Sequence, residues 1–577
     1  MQRNAMSGLS DAYAAVRVLR VDLSNSKVSA EIIKERTVGA IGGRGLATFL
    51  LLREVGADTK PLDAENKLIF SNGPLWGTQM PFSGRTNVTS ISPLTNTILS
   101  SNAGGGISFG KYNALIIEGQ AESAVYLHIG EGEDNLKKGP DVQILDATDI
   151  WGRGTIETTL MLTQRHSLYN NPIITIGPAG ENQVHFASIT TRLHHVFGRG
   201  GLGAVMGSKN LKAIASNQKI DSRQAGRISV ACTKLEKHLI KKAFDTPSSL
   251  KTRGTVSVLD TVNANEALPT RYFGDVTFES VDRINAKAFN EYVVGKSTCI
   301  GCTVACKKIT YSKKHDVTAS GPEYETVVSF GSNEGNSDID DIIKSNHLCN
   351  DLGMDTVSCG NVMAALMKAS ESRLVAPSDM ILFGESPHEM MGCIAQRSGI
   401  GNLLADGVEA FARHVGIESM TIKGLDFPGH DPRGAAGQGL GYMTSNKGAD
   451  HMYSSFFMHE YNRANRCDVR NKAAALIEAE NIGAFFDSMI LCRFSNMFFD
   501  HSDFEDILSS VLQTPASFAD IQTIGSDIVE MERRFNCMRG FSVLDDVLPE
   551  RMRSMHVEEE LANYYRLRGW GENGCPK

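Results

Sequence analysis

No run of apolar residues in this 577-residue chain approaches the ~20 needed to cross a bilayer, and residues 1–21 lack the basic segment and apolar core of a signal peptide. Membrane insertion is not expected, and the protein is read as soluble and cytoplasmic. Excess positive charge is missing too: 58 Lys+Arg against 66 Asp+Glu leave a formal charge of −8 and a pI near 6.0. Nucleic-acid phosphates would have no cationic surface to meet, so no nucleic-acid partner is expected. Long charge runs and proline- or glutamine-rich tracts are also absent, and 41% hydrophobic with 21% charged residues is a globular composition. The eleven cysteines are odd in number and scattered, unlike the dense, even framework of a small secreted domain. A reducing compartment with metal-bound thiolates fits better. Cys232, Cys349, Cys359, Cys393, Cys467, Cys537 and Cys575 are given no role beyond that of small buried apolar residues.

The chain exceeds the ~250–300 residues that one core supports, so two or three domains are expected. Its first ~210 residues hold short β-rich runs at 16–21, 67–70, 113–118 and 125–129. Glycine-rich turns lie between them, among them Gly42-Gly-Arg-Gly45, Asn102-Ala-Gly-Gly-Gly106 and Gly198-Arg-Gly-Gly-Leu-Gly203. Such turns allow backbone amides to approach a polar ligand, although any one of them also reads as an ordinary hairpin turn. Beyond residue 217 the pattern becomes amphipathic and helical, at 229–242, 338–350 and 356–372. The segment 424–434, with two prolines and several glycines, cannot lie inside a helix. The expected fold is α+β: a β-rich domain over 1–215, then mainly α-helical domains over 216–423 and 424–577. Gly198-x-Gly200-x-x-Gly203 matches the dinucleotide fingerprint, but a strand at 212–215 follows too soon for the helix that motif needs, so no nicotinamide site is expected.

The spacing Cys299-x-x-Cys302-x-x-x-Cys306 lets three thiolates from one loop face a single cuboidal iron–sulfur cluster, with Cys492 arriving from a distant segment. Structural zinc is the rival, and the uneven spacing favours iron–sulfur. Just after this loop, Gly321-Pro-Glu323-Tyr-Glu325 carries two carboxylates; near a metal either could act as a general base, and taken alone the pair reads as a solvated turn. A glycine-rich loop, Gly437 to Gly448, leads to Asp450-His451, where a histidine could donate to a developing oxyanion.

Read together, these segments resemble the tungsten-containing aldehyde:ferredoxin oxidoreductases over nearly the whole chain. The resemblance rests on Arg17-Val-Leu-Arg-Val-Asp-Leu-Ser24, Gly43-Arg-Gly-Leu-Ala47, Gly84-Arg-Thr-Asn-Val88, Ile176-Gly-Pro-Ala-Gly-Glu-Asn182, the run from Gly198 to Lys212, the cysteine loop, Asp431-Pro-Arg-Gly434 and Tyr565-Arg-Leu-Arg-Gly-Trp570. It implies a tungsten, with molybdenum as the alternative, held by the dithiolenes of two pterins whose phosphates Mg2+ bridges, beside a 4Fe–4S cluster on Cys299, Cys302, Cys306 and Cys492. The β-rich domain would form the base for the pterins and the helical domains would cover them. Arg85 would lie between cluster and pterin, with Asn102 and Gly104 near the phosphates and His195, Val196, Phe197 and Gly198 supplying backbone contacts. The family's paired Asp-x-x-Gly-Leu-Cys/Asp motifs resemble Asn350-Asp-Leu-Gly-Met354-Asp355 and Asp487-Ser-Met-Ile-Leu491-Cys492, with Lys447 a further contact. Gly353 would end one helix and Asp355 or Thr356 cap the next.

The implied reaction is oxidation of an aldehyde to a carboxylic acid with water. Glu325 would be the base, oriented by Glu323, and His451 would steady the oxygen charge. Electrons would pass to ferredoxin or an iron–sulfur partner subunit. Where archaeal relatives bind a bridging iron through Glu-x-x-His, the resemblance sets Lys344-Ser-Asn-His347 in this chain, so no bridging iron is expected and a homodimer, if formed, would lack it. The alternatives are a low-potential reductase subunit of aryl-CoA type and a non-catalytic electron carrier.

Overall fold

A computed structural model describes residues 15–34, 37, 39–130, 141–169, 171–193, 195–218, 230–554 (side chains from 233) and 556–577. The signal-peptide reading of the first residues, the helical reading at Ser229 and the Cys232 side chain fall wholly or partly outside them.

The amino-terminal part is built on two six-stranded sheets. In the first, the strands run in space Lys27–Ile33, Val16–Asp22, Ala114–Glu118, Leu68–Ser71, Arg85–Ile91, Ile98–Gly104. In the second the order is His195–Phe197, Ile189–Thr191, Ile173–Thr175, Leu211–Ser216, Val125–Ile129, Val142–Asp146. The strand period of two decides what each face touches. Leu19, Val21, Phe70, Leu115 and Ile117 point to a core shared with Ile174, Ile189 and Ile214 of the second sheet. Val18, Ile69 and Ile116 point the other way, onto Leu46 and Leu50 of the Gly43–Glu54 helix and onto Phe535. The outer face of the second sheet is covered in turn by the Thr155–His166 helix through Leu162. The central strands Ala114–Glu118 and Leu68–Ser71 are buried on both faces and read as nearly continuous apolar runs, whereas the edge strands Lys27–Ile33 and Val142–Asp146 remain largely exposed.

From residue 230 the chain is mainly helical, with one apolar core running from Leu239 to Trp570. The Ala473–Met489 helix lies along Phe518–Met538 and also meets the Gly43–Glu54 helix, joining the two parts of the molecule. A three-stranded antiparallel sheet, Val293–Ser297, Lys307–Ser312 and Val317–Ser320, interrupts the helices. The cysteine loop is the connection between its first two strands.

Three expectations are corrected. The segment taken as a glycine-rich loop is the helix Ala436–Thr444. Its glycines serve close packing, and the Glu460 carboxylate accepts from the N–H groups of Gly437 (2.9 Å) and Gln438 (2.8 Å) at its start. Residues 450–463, within the domain expected to be mainly helical, form turns with one short 3-10 segment, Phe456–His459. There the Asp450 side chain accepts from Met452 and Tyr453 N–H, competing with the helical ladder. Cys537 and Cys575, given no role, form a disulfide between the Phe518–Met538 helix and the carboxy-terminal tail. Connectivity of this kind depends on Cα approach, here 6.1 Å, which spacing in sequence does not reveal.

Candidate active site

The cysteine loop docks on the first sheet through a bridge between Ile300 and Gly84. A side chain at Gly84 would meet the Ile300 carbonyl oxygen at 2.3 Å, so the neighbour of Arg85 must be glycine. Within the loop, Cys302 N–H donates to Cys299 O (3.1 Å) and Val304 N–H to Cys302 Sγ (3.4 Å). Cys299, Cys302, Cys306 and the distant Cys492 line one cavity of about 210 Å³, together with Arg85, Asn102, Gly104, His195 and Val196. Burial pushes the Cys299 thiol up to about 11 against the pull of Arg85, and raises Cys306 and Cys492 as well. Neutral in the apoprotein, such thiols become thiolates when a metal binds. Burial alone would lower Arg85, but the facing Cys492, Cys299 and Asp487 raise it.

Antiparallel register sets Arg85 opposite Gly104 and Asn87 opposite Asn102. Arg85 Nη2 donates to Asn102 O at 2.6 Å, and Asn102 Nδ2 donates to Asp487 Oδ1 at 2.9 Å. Asp487 also receives Arg44 (3.2 Å) and Arg493 (3.1 Å). Its sequence counterpart Asn350 instead donates to Asn346 (3.3 Å), while its carbonyl accepts from Thr155. Gly353, at φ 77°, ends the Ile339–Leu352 helix, and Asp355 caps Thr356–Glu371 by accepting from Val357 and Ser358 N–H. Arg199 reaches Asp355 (3.4 Å) and Asp426 (2.8 Å), and a side chain at Gly198 would rest on Asp355. Lys447 pairs with Asp450 (3.0 Å). Burial by itself pushes Asp450 up, but Lys447, His451 and Arg199 bring it down to about 2. The side chains of Phe197, Met354 and Leu491 are buried in apolar packing, so the backbone is what these residues offer a ligand.

Glu325 stands in the first turn of the Tyr324–Phe330 helix. Its Oε2 accepts from Gly429 N–H at 2.7 Å, and its Oε1 lies 3.4 Å from His451 Nε2. Glu323 faces away, accepting from the Thr255 hydroxyl (2.5 Å) and facing Lys307 (4.0 Å), so it does not orient Glu325 as expected. Glu325 and His451 line a cavity of about 1260 Å³ whose other walls include Leu250, Val258, Ile482, Met497 and Phe499. Val196, Glu323 and Phe494 line both this cavity and that of the four thiols.

Several buried polar atoms around these cavities lack a hydrogen-bond partner: Arg85 Nε, Arg199 Nε, Arg493 Nε, Glu325 Oε1 and His451 Nδ1. Buried groups of this kind are normally paired, and the converging guanidinium and ammonium groups suit an anionic, phosphate-bearing cofactor. The sequence reading missed Arg44, Arg199, Arg493 and His430. The first two sit inside the glycine-rich motifs, where a single arginine among glycines was an available signal. His430, just before Asp431-Pro-Arg-Gly434, carried none.

A family model described as aldehyde ferredoxin oxidoreductase, N-terminal domain, matches residues 18–218, and one described as domains 2 and 3 of the same enzyme matches 231–577. The chain is 34% identical to the tungsten-containing aldehyde ferredoxin oxidoreductase of Pyrococcus furiosus, covering 97% of this chain and 96% of that one. Identity and coverage are the same for the enzyme of that name from Thermococcus kodakarensis. The aliphatic sulfonate oxidoreductase WOR-like subunit of Pyrococcus furiosus is 27% identical over 97% of this chain and 95% of its own length. Among solved structures, the active site complex of benzoyl coenzyme A reductase with 1,5-dienoyl-CoA superposes with a TM-score of 0.79 at 20% identity, covering 97% of this chain and 95% of that one, a likeness of fold.

Proposed function

Because the chain belongs to the aldehyde ferredoxin oxidoreductase family, we propose that it oxidises an aldehyde to the carboxylic acid with water at a tungsten held by two pterins. Electrons would pass through a 4Fe–4S cluster to ferredoxin or an iron–sulfur partner subunit. The observation that carries this reading is the common wall of Val196, Glu323 and Phe494 between the cavity of Glu325 and His451 and the cavity of the four thiols. On this reading, substrate chemistry and electron exit would be side-chain neighbours.

When bound, the bis-pterin tungsten supplies Lewis-acid polarisation of the carbonyl and takes up the electron pair. Arg85, Arg199, Lys447 and Arg493 would hold the pterins and their phosphates, with Mg2+ between the phosphates. Glu325, one oxygen held by Gly429 N–H, leaves Oε1 to take a proton from water. His451 Nε2, beside that oxygen, donates to the oxygen that gains charge. No helix among the described residues is long and apolar enough to cross a membrane, and a cytoplasmic location is part of the proposal.

A second reading, reduction of an aromatic thioester, is favoured by the breadth of the 1260 Å³ cavity. Anaerobically purified protein, analysed for tungsten and iron and screened against aldehydes and aryl-CoA thioesters, decides between them. Aldehyde turnover with tungsten and about four iron per chain is expected. Aryl-CoA turnover alone would favour the second reading, and iron without tungsten would make the protein an electron carrier.

A further inference from the structure

Oxidation of RCHO and H2O to RCOOH releases two protons with the two electrons, so the base that opens the water must be emptied in every turnover. Glu325 has a second imidazole beside it. His430 Nε2 lies 3.6 Å from Glu325 Oε1, the oxygen without a hydrogen-bond partner, and His430 Nδ1 lies 2.8 Å from the Tyr461 hydroxyl.

The ring is held on every side. Phe457 stacks on it at 3.7 Å between centroids and 15° between planes, and Tyr324 covers it at 5.0 Å and 29°. Its carbonyl accepts from Tyr442 OH (2.9 Å), and its N–H donates to Pro428 O (2.8 Å). Only 2% of the residue is exposed, yet it lines the 1260 Å³ cavity. Burial, with the added effect of His451, lowers this imidazole well below its ordinary value, so it rests neutral with one nitrogen lone pair. If Nδ1–H donates to the Tyr461 oxygen, that lone pair is on Nε2 and points to Glu325.

Resting on the aldehyde-oxidation reading, we propose that His430 is the proton acceptor that resets Glu325. As the water oxygen bonds to the carbonyl carbon, the C=O π pair moves onto the carbonyl oxygen and one water O–H bond breaks, its proton going to Glu325 Oε1. The electron pair and the second proton of the overall reaction come from the aldehyde C–H bond and do not pass through this carboxylate. The Glu325 O–H bond then breaks toward the Nε2 lone pair, leaving a carboxylate and an imidazolium that face each other at 3.6 Å, a short-lived pair that the low basicity of the buried ring makes quick to give its proton up. The imidazolium returns its Nε2 proton to water in the cavity when product leaves. His430 acts through Glu325, and the Tyr461 oxygen is the acceptor for Nδ1–H in the tautomer this transfer uses.

The test uses the tungsten-loaded enzyme and a base series. His430→Ala should lower kcat about 100-fold with little change in KM for the aldehyde. Imidazole and its methyl and halogen derivatives should bind the His430→Ala protein by calorimetry and restore turnover in proportion to their basicity. His430→Phe, which keeps the stack and lacks the lone pair, should be as slow as His430→Ala. Rescue of equal size for all bound bases, or an active His430→Phe enzyme, would overturn the proposal by showing that the ring only fills space. Should His430→Ala not fold, Tyr461→Phe removes the acceptor of Nδ1–H; about tenfold slower turnover is expected, and full activity would overturn the tautomer assignment. A readout independent of turnover is the Glu325 carboxylate infrared band, identified by its loss in Glu325→Gln. It should shift in His430→Phe, and an unmoved band would mean the two groups are not coupled. Failure of the wild-type enzyme to oxidise any aldehyde would sink the functional reading itself, and the infrared result then decides for His430 alone.

Discussion

At Gly353 a helix ends in a left-handed residue, Met354 N–H bonds back to Cys349 O at 2.8 Å, and Asp355 N–H docks on Phe186 O at 3.0 Å. At Ile490 the chain repeats the turn: Leu491 N–H bonds back to Phe486 O at 2.8 Å, and Cys492 N–H docks on Phe82 O at 3.0 Å. Both are the same helix-ending motif seated on the amino-terminal part, and they differ in the residue two places beyond the left-handed one. Asp355 turns its carboxylate to cap the next helix and face Arg199, whereas Cys492 sends its thiol into the cavity beside Arg85. Backbone geometry places that residue, and its chemistry then decides between a capped helix and a thiol set into the four-cysteine cavity. The two left-handed positions also differ. Glycine adopts this conformation freely, while at φ 59° the β-branched Ile490 bears roughly 1–2 kcal/mol of strain, offset by complete burial of its side chain.

Cys492→Ser should break the comparison most severely. It removes the one thiol that the second turn supplies, so iron content and acceptor reduction should collapse while the fold persists. A serine protein with full iron and its cluster spectrum intact would show that Cys492 is no ligand. Asp487→Asn should come next, because it gives the second turn the neutral amide of the first and leaves Arg44 and Arg493 short of a buried partner. A loss of about 3 kcal/mol in denaturant unfolding is expected, whereas Asn350→Asp, with no cation to meet, should bring no gain.

Acid should then separate the two sides. Asp450, paired with Lys447 at 3.0 Å beside the Arg199 side of the molecule, has its folded value depressed to about 2. Its contribution is therefore present above the unfolded value near ~3.9 and lost as pH falls from about 4 through about 2. Wild-type stability should drop by roughly 2–3 kcal/mol more than that of Asp450→Asn across this window, and parallel curves would deny the pair this role. Asp355→Ala should have the smallest effect on stability, about 1 kcal/mol for the lost cap, visible as a small shift in thermal midpoint without loss of iron.

Where chemistry is carried by residue type and spacing, the sequence was legible. The cysteine loop, Glu325 and His451 stand in short motifs and, with the distant Cys492, line two adjoining cavities, while the Gly353–Asp355 turn ends one helix and caps the next. The Ala436–Thr444 helix was hidden because its glycines, poor helix formers, are there for close packing against Phe456 and Glu460. The 450–463 turns were hidden because Asp450 takes the backbone donors a helix would use. His430 and the Cys537–Cys575 pair depend on approach between segments far apart in sequence, which no local pattern encodes.

The partition formed by Val196, Glu323 and Phe494 ties two properties that evolution would otherwise tune independently. On the proposed function, a change at Phe494 that admits a bulkier substrate would also alter the solvation of the four thiols, and hence the potential at which electrons depart. Variants that broaden the range of substrates should therefore bring altered redox poise with them, and directed selection on either trait will drag the other along.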